Sequence, residues 1–279
     1  MKILFLGQLI GKQSIAFVKE HLASLKAEHQ IDCTIAVADA VTGGYGLGKN
    51  HAFYLRKLGI DLLLGGEAML SKRDLVEELA QIHFVLRPAN FTGIGNFGYG
   101  MRHLHTPKNQ QLNIINVMGM MGFHRVHASN PYQLVNKILD NPKHPSPFTL
   151  VAFSAIASAE KQTMAHMMAG KCSAIIGYGA KAITLDAQII DETAYITDVG
   201  RISAPFSVAG FTPESEIERY TTQRPRKSEE LISDEIELQA VVITLDDETG
   251  KATHLQPLRA TYPLNVKAPA NTSAESTTP

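Results

Sequence analysis

The chain has 279 residues, 44% of them apolar, which suffices for the core of one large α/β domain or two small ones. Lys plus Arg number 26 and Asp plus Glu 27, so no long-range field draws in nucleic acid or an anionic membrane. No stretch approaches the roughly 20 apolar residues of a membrane span, and the apolar run at Met1 to Gly7 is too short for a signal peptide. Cys33 and Cys172 lack any metal or redox spacing, so they read as buried thiols in a reducing, cytoplasmic compartment.

Ile3 to Leu6 is a continuous apolar run, expected of a strand covered on both faces, with Gly7 opening the loop after it. Ile15, Val18, Leu22 and Leu25 then recur at helical spacing over Ser14 to Ala27. Asp32 to Ala38 reads as the next strand, followed by a glycine-rich loop, Val41 to Gly48, that fits neither the dinucleotide fingerprint nor the P-loop. Asn50 to Leu58 is a helix stopped at Gly59, and Ile60 to Leu64 a buried strand ending in Gly65, Gly66 and Glu67. Ser71 to Leu79 is expected as a helix capped by Ser71, with Asp74 three residues on.

Val85 to Asn90 is a short strand broken by Pro88, and Gln111 to Val117 resumes a sheet. Pro131 to Leu139 is an amphipathic helix; Phe148 to Phe153, Ser158 to Ala169, Cys172 to Ile176 and Ala194 to Ile196 continue the strand–helix alternation. Ile183 to Ile190 is a hairpin-type excursion, and Pro213 to Tyr220 a short helix. Leu231 to Leu245 and Ala252 to Leu258 form an antiparallel pair. Residues 267–279 hold almost nothing to bury, so they are expected to be a disordered tail behind one folded domain, 1–266.

Five strand ends, after Leu6, Ala38, Leu64, Phe153 and Ile176, converge on one carboxyl rim, where open α/β folds place their chemistry. The rim collects Gln8, Asp39, Ala40, Gly66, Glu67, Ser154, Gly179 and Lys181, a set with little capacity to hold a metal. His124 and His127 are spaced three apart but have no acidic residue or third histidine close by in sequence, and read as exposed loop histidines.

MKILFLGQLIG at the start, LLLGGEAML, VLRPANF from Val85 to Phe91 and TAYITDVG from Thr193 to Gly200 resemble the YmdB-like family of calcineurin-type metallophosphoesterases. The likeness runs from Met1 to about Leu258. It implies a four-layer α/β/β/α sandwich with a two-metal site, iron or manganese, that hydrolyses phosphodiesters such as 2′,3′-cyclic AMP. In such a site one ion acidifies a bridging water and both stabilise charge on the phosphate, which takes a dense cluster of carboxylate, imidazole and amide ligands.

Carried over residue by residue, that cluster is mostly replaced. Gly7 is kept, but Gln8 stands where the family's first-strand Gly-Asp has its aspartate. The family's Glu-Asn pair falls on Asp39 and Ala40, and its Gly-Asn-His, with ligand and catalytic histidine, on Gly65, Gly66 and Glu67. Ser154 stands at a histidine ligand, and Gly179 and Lys181 at the family's His-x-His. Only Asp39 can ligate as its counterpart does, and the Lys181 ammonium repels a dication. The resemblance therefore predicts a kept fold with no bound metal expected and Glu67 inactive at the catalytic position, and Lys181 compensating Asp39 and Glu67.

Three functions compete: a catalytically silent binding or scaffold protein with a protein partner; a phosphodiesterase rebuilt from Asp39, Glu67 and His124 or His127; and a non-hydrolysing receptor for a small anion such as a nucleotide or phosphate. In the last, Lys181, Arg201 and the Gly43 to Gly48 amides hold the anion. A homo-oligomer is implied by the resemblance, with the aromatic segment Phe91 to Tyr99 as its interface.

Overall fold

The computed structural model describes residues 1–92, 97–106, 108–124, 126–141 and 146–265; the expected tail lies outside them. In chain order, β1 (Lys2–Ile10) leads into α1 (Gly11–His29), β2 (Cys33–Ala40), α2 (Lys49–Lys57), β3 (Leu62–Leu64), the single turn α3 (Arg73–Val76) and β4 (Val85–Leu86). Next come β5 (Met101–His105), β6 (Gln111–Met118), α4 (Pro131–Leu139), β7 (Phe148–Ser154), α5 (Ser158–Met168) and β8 (Ala174–Tyr178). The chain continues with β9 (Gln188–Ile190), β10 (Thr193–Ile196), β11 (Arg201–Ile202), α6 (Pro213–Thr222), β12 (Glu235–Leu245) and β13 (Ala252–Pro263).

The strands build a 7-stranded sheet, ordered β13-β12-β1-β2-β3-β4 with β11 also paired to β1, and a 6-stranded sheet, β5-β6-β7-β8-β10-β9. Period-2 alternation sorts their side chains into layers. Leu4 and Leu6 of β1 pack outward with Val18 and Leu22 of α1, while Ile3 and Phe5 face inward among Leu112, Leu150 and Ile176 of the second sheet. On that sheet's far side, Val151, Phe153 and Ile175 meet Val135 of α4 and Met164 and Met168 of α5. The result is helices, sheet, sheet and helices: the four-layer α/β/β/α sandwich that the resemblance implies. Among the described residues no helix is long and apolar enough to cross a membrane.

Local signals explain the best-matched boundaries. α4 begins where expected because Pro131 occupies its first turn and the Asn130 side chain accepts from Gln133 N at 3.1 Å. Thr212 and Pro213 start α6 in the same way.

Other expectations fail for tertiary reasons. Gly7 does not open a loop: β1 runs on to Ile10, because Gln8 and Leu9 pair in parallel with Arg201 and Ile202. A Cβ at Gly7 would lie 2.7 Å from the Gly200 carbonyl, so glycine is needed for that close approach. Ser71 caps no helix; only Arg73–Val76 is helical, and Asp74 Oδ2 instead accepts from Lys49 N at 2.9 Å, at the start of α2. β5 was not expected at all, since its alternation of half-buried and exposed residues lacks an apolar run. In the aromatic segment Phe91 is buried and Tyr99 half-buried against Arg102, which leaves Phe97 exposed; residues 93–96 lie outside the described set. Cys33 is buried and Cys172 half-buried, and burial pushes both thiols up.

Candidate functional site

The carboxyl ends of β1, β2, β7 and β8 open onto one cavity of about 400 Å³, lined by Gln8, Asp39, Ala40, Glu67, Ser154, Gly179 and Lys181. The rim expected from the sequence is therefore a single space, although its strands come from two sheets. Gly66 sits just behind the wall: a Cβ there would be 2.7 Å from Ser154 Oγ and 3.1 Å from Asp39 Oδ2, leaving no room for a ligating side chain. Tyr45, Phe123, Ile156 and Tyr178 supply the apolar walls, and Arg219 of α6 adds a cation.

Asp39 is the acid at the centre. Its Oδ2 accepts from Ala68 N at 3.0 Å, whereas Oδ1 is sealed from solvent with no hydrogen-bond partner. Burial raises its pKa to about 6, opposed by the backbone amides of Ala68 and Gly66 and by the field of Lys181. Burial likewise lowers the pKa of Lys181, and Asp39 pushes it back up. The two groups thus bias each other through space, and the Lys181 ammonium lies 5.8 Å from the centre of the Phe211 ring. Glu67 Oε1 accepts from the backbone of His124 at 3.3 Å. His124 and His127 are not in the cavity wall, and the His127 carbonyl is taken by Thr92 N at 3.0 Å.

Of the other expected anion donors, Gly44 lines the cavity, whereas Gly46, Gly48 and Arg201 are engaged elsewhere. In the glycine loop, Gly46 N donates to the Asp39 carbonyl at 2.7 Å and Gly48 N to Thr42 Oγ1 at 2.7 Å, so the loop closes on itself. Arg201 does not line the cavity; its guanidinium donates to the Lys181 carbonyl at 2.8 Å and to Ser203 Oγ at 2.9 Å. The sequence reading missed Arg219, which a short amphipathic helix far along the chain brings to the rim. It passes alongside Glu216 Oε2 at 3.3 Å and Tyr220 Oη at 3.1 Å.

Beneath the rim, polar groups lock the loops in place. Asp198, fully buried, accepts from Lys161 Nζ at 2.7 Å, Ala180 N at 2.8 Å and Gly200 N at 2.9 Å. Tyr178 Oη donates to Asn116 Oδ1 at 2.7 Å, and Asn116 Nδ2 donates to the Gly65 carbonyl at 2.8 Å, tying the two sheets together behind Gly66. Asn90 Nδ2 donates to the carbonyls of Met118 and Ser129 at 2.7 and 2.8 Å. Two of the sequence strings that carry the resemblance, RPANF and TAYITDVG, therefore supply framework rather than site.

A two-metal centre does not fit these residues. Among the described residues no three of His, Cys, Asp and Glu gather where one ion would be held. The cavity offers Asp39 and Glu67 with two cations, Lys181 and Arg219, lining the same space. Two carboxylates, one of them with an oxygen sealed from solvent, are too few donors to hold two dications against that charge.

A family model described as YmdB-like protein matches residues 4–258. The chain is 27% identical over 257 residues to a 2′,3′-cyclic-nucleotide 2′-phosphodiesterase of Bacillus subtilis, covering 92% of this chain and 96% of that protein. It is 28% identical over 268 residues to a putative phosphatase/phosphodiesterase of Mycoplasma genitalium, covering 93% and 92%. Among solved structures, a novel phosphatase from Mycoplasma pneumoniae superposes with a TM-score of 0.87 at 25% identity over 95% of each chain. A hypothetical protein from Thermus thermophilus superposes with a TM-score of 0.86 at 26% identity over 94% of this chain and all of the other.

Proposed function

The chain belongs to the YmdB-like family, and from that premise we propose that its cavity binds a phosphate ester on Lys181 and Arg219 and does not hydrolyse it by two-metal chemistry. The carrying observation is that both cations line one cavity with Gln8, Ala40, Ser154 and Gly179, positions at which the resemblance expects metal ligands. An ammonium and a guanidinium meet a phosphate as charge-assisted donors. Desolvation of Lys181 adds to this: a bound phosphate anion stabilises the ammonium that burial disfavours. Asp39 and Glu67 on the same wall oppose the anion, so affinity depends on the two cations outweighing them.

The names of the relatives favour a second reading, hydrolysis of a phosphodiester by a rebuilt site that includes Asp39 and Glu67. One experiment separates the two. Calorimetric titration with 2′,3′-cyclic AMP in EDTA, and again with added manganese, is followed by analysis for product. The binding reading expects metal-independent affinity, no product, and a loss of about 10-fold or more in Lys181→Ala, the scale of a charged hydrogen bond. Product that appears only with manganese and disappears in Asp39→Asn establishes the hydrolytic reading instead. No binding in either condition removes the first reading and leaves the silent scaffold.

A further inference from the structure

Lys181 has a left-handed backbone, φ +62°, a conformation disfavoured for a residue with a Cβ. It is held there from both sides. The Ala180 N–H on its amino side donates to Asp198 Oδ2 at 2.8 Å, and its own carbonyl accepts from Arg201 Nη1 at 2.8 Å. Arg201 is fixed in turn: its Nε donates to Ser203 Oγ at 2.9 Å, its N–H to Gln239 Oε1 at 3.1 Å, and its strand pairs with Gln8 of β1. The guanidinium is thus directed at the backbone beneath the cavity wall and not into the cavity.

We propose that Arg201 is a positioning residue for Lys181: by clamping the Lys181 carbonyl it keeps the left-handed turn that aims the ammonium into the cavity, and it does not touch the bound anion. The proposal rests on the phosphate-ester reading. It assigns the half-buried arginine after Gly200 a task distinct from direct anion contact. It also accounts for an otherwise unfavourable arrangement, a second cation on a neighbouring segment whose field disfavours the Lys181 ammonium.

The test is a double-mutant cycle read by titration with 2′,3′-cyclic AMP in EDTA, on wild type, Arg201→Met, Lys181→Ala and the double variant. Arg201→Met is expected to weaken binding about 10-fold when Lys181 is present, and to change nothing further when it is alanine. An equal loss in both backgrounds overturns the proposal, because it means Arg201 attracts the anion with its own charge. A loss in Lys181→Ala with none in Arg201→Met overturns the positioning alone, whereas unchanged binding in Lys181→Ala overturns the phosphate-ester reading as well. Arg201→Lys keeps a charge on a single donor nitrogen, which cannot span both the carbonyl and Ser203. It is expected to bind with intermediate affinity, and it serves as the informative variant if Arg201→Met does not fold; wild-type affinity in Arg201→Lys then counts against the clamp.

Discussion

Asp198, fully buried, and Asp39, half-buried at the cavity, are both acids countered by a lysine, and they differ in how completely they are countered. Asp198 has Lys161 in contact at 2.7 Å and two backbone amides besides. Asp39 has the Ala68 amide at 3.0 Å with a further contribution from that of Gly66, a lysine acting only through space, and an oxygen with no partner. Burial raises the pKa of both, but only at Asp198 does a contact ion pair oppose it. A completed network of this kind specifies structure, since each member left alone would be costly. An uncompleted one at a cavity wall leaves charge there that, among the described residues, only Lys181 and Arg219 offset. Unpartnered buried carboxylate oxygens are found, among the described residues, at Asp39 and Glu216, and both acids act on Lys181. The fold is sealed below the rim and open at it.

The largest expected effect breaks the sealed side. Lys161→Met removes the cation and leaves Asp198 as a buried charge with amides alone, which should cost about 3–5 kcal/mol of folding stability. Urea denaturation near neutral pH measures it. A loss below about 1 kcal/mol would mean that Asp198 is already neutral in the folded protein and that the two acids do not differ as described.

The second prediction probes the open side by pH. The folded pKa of Asp39, about 6, lies above the ordinary value of 3.8, so between those pH values the folded state binds more protons than the unfolded state. Stability from this group is therefore fully present below about pH 4 and lost as pH rises through 6. Asp39→Asn lacks the titration. The stability of wild type minus that of Asp39→Asn should fall between pH 4 and 7, by at most about 3 kcal/mol at 1.36 kcal/mol per unit. Denaturation at both pH values checks the sign, and a difference that rises with pH would contradict the burial of an uncountered carboxylate.

What could be read from the sequence follows the same division. Runs such as Ile3 to Leu6 and Phe148 to Phe153 announce strands covered on both faces, because a sandwich buries both sides of each sheet. The rim positions were legible because strand ends fix them. Lys161 and Asp198 were not recognised as partners: 37 residues separate them, and α5 and the loop after β10 meet only in the folded chain. Arg219 was missed for the same reason. The continuation of β1 past Gly7 was hidden because it depends on β11, a two-residue strand with no pattern of its own.

The smallest expected effect sharpens the open side. Glu216 keeps Oε2 beside Arg219 at 3.3 Å while Oε1 has no partner, and its charge acts on Lys181. Glu216→Gln preserves the shape and the contact with Arg219 but removes one negative charge from the neighbourhood of both cavity cations. Two consequences oppose each other: Lys181 holds its proton less firmly, and a bound anion meets less repulsion. A unit charge removed from beside a solvent-open cavity is worth about 1 kcal/mol, so while Lys181 holds its proton phosphate-ester binding should tighten about fivefold. The gain should shrink as pH rises and Lys181 deprotonates, and also in salt above about 0.1 M, because the cavity is open to solvent. Weaker binding at every pH would instead show that Glu216 acts mainly by holding Arg219 in place, which would make the rim a more completed network than its unpartnered oxygens imply.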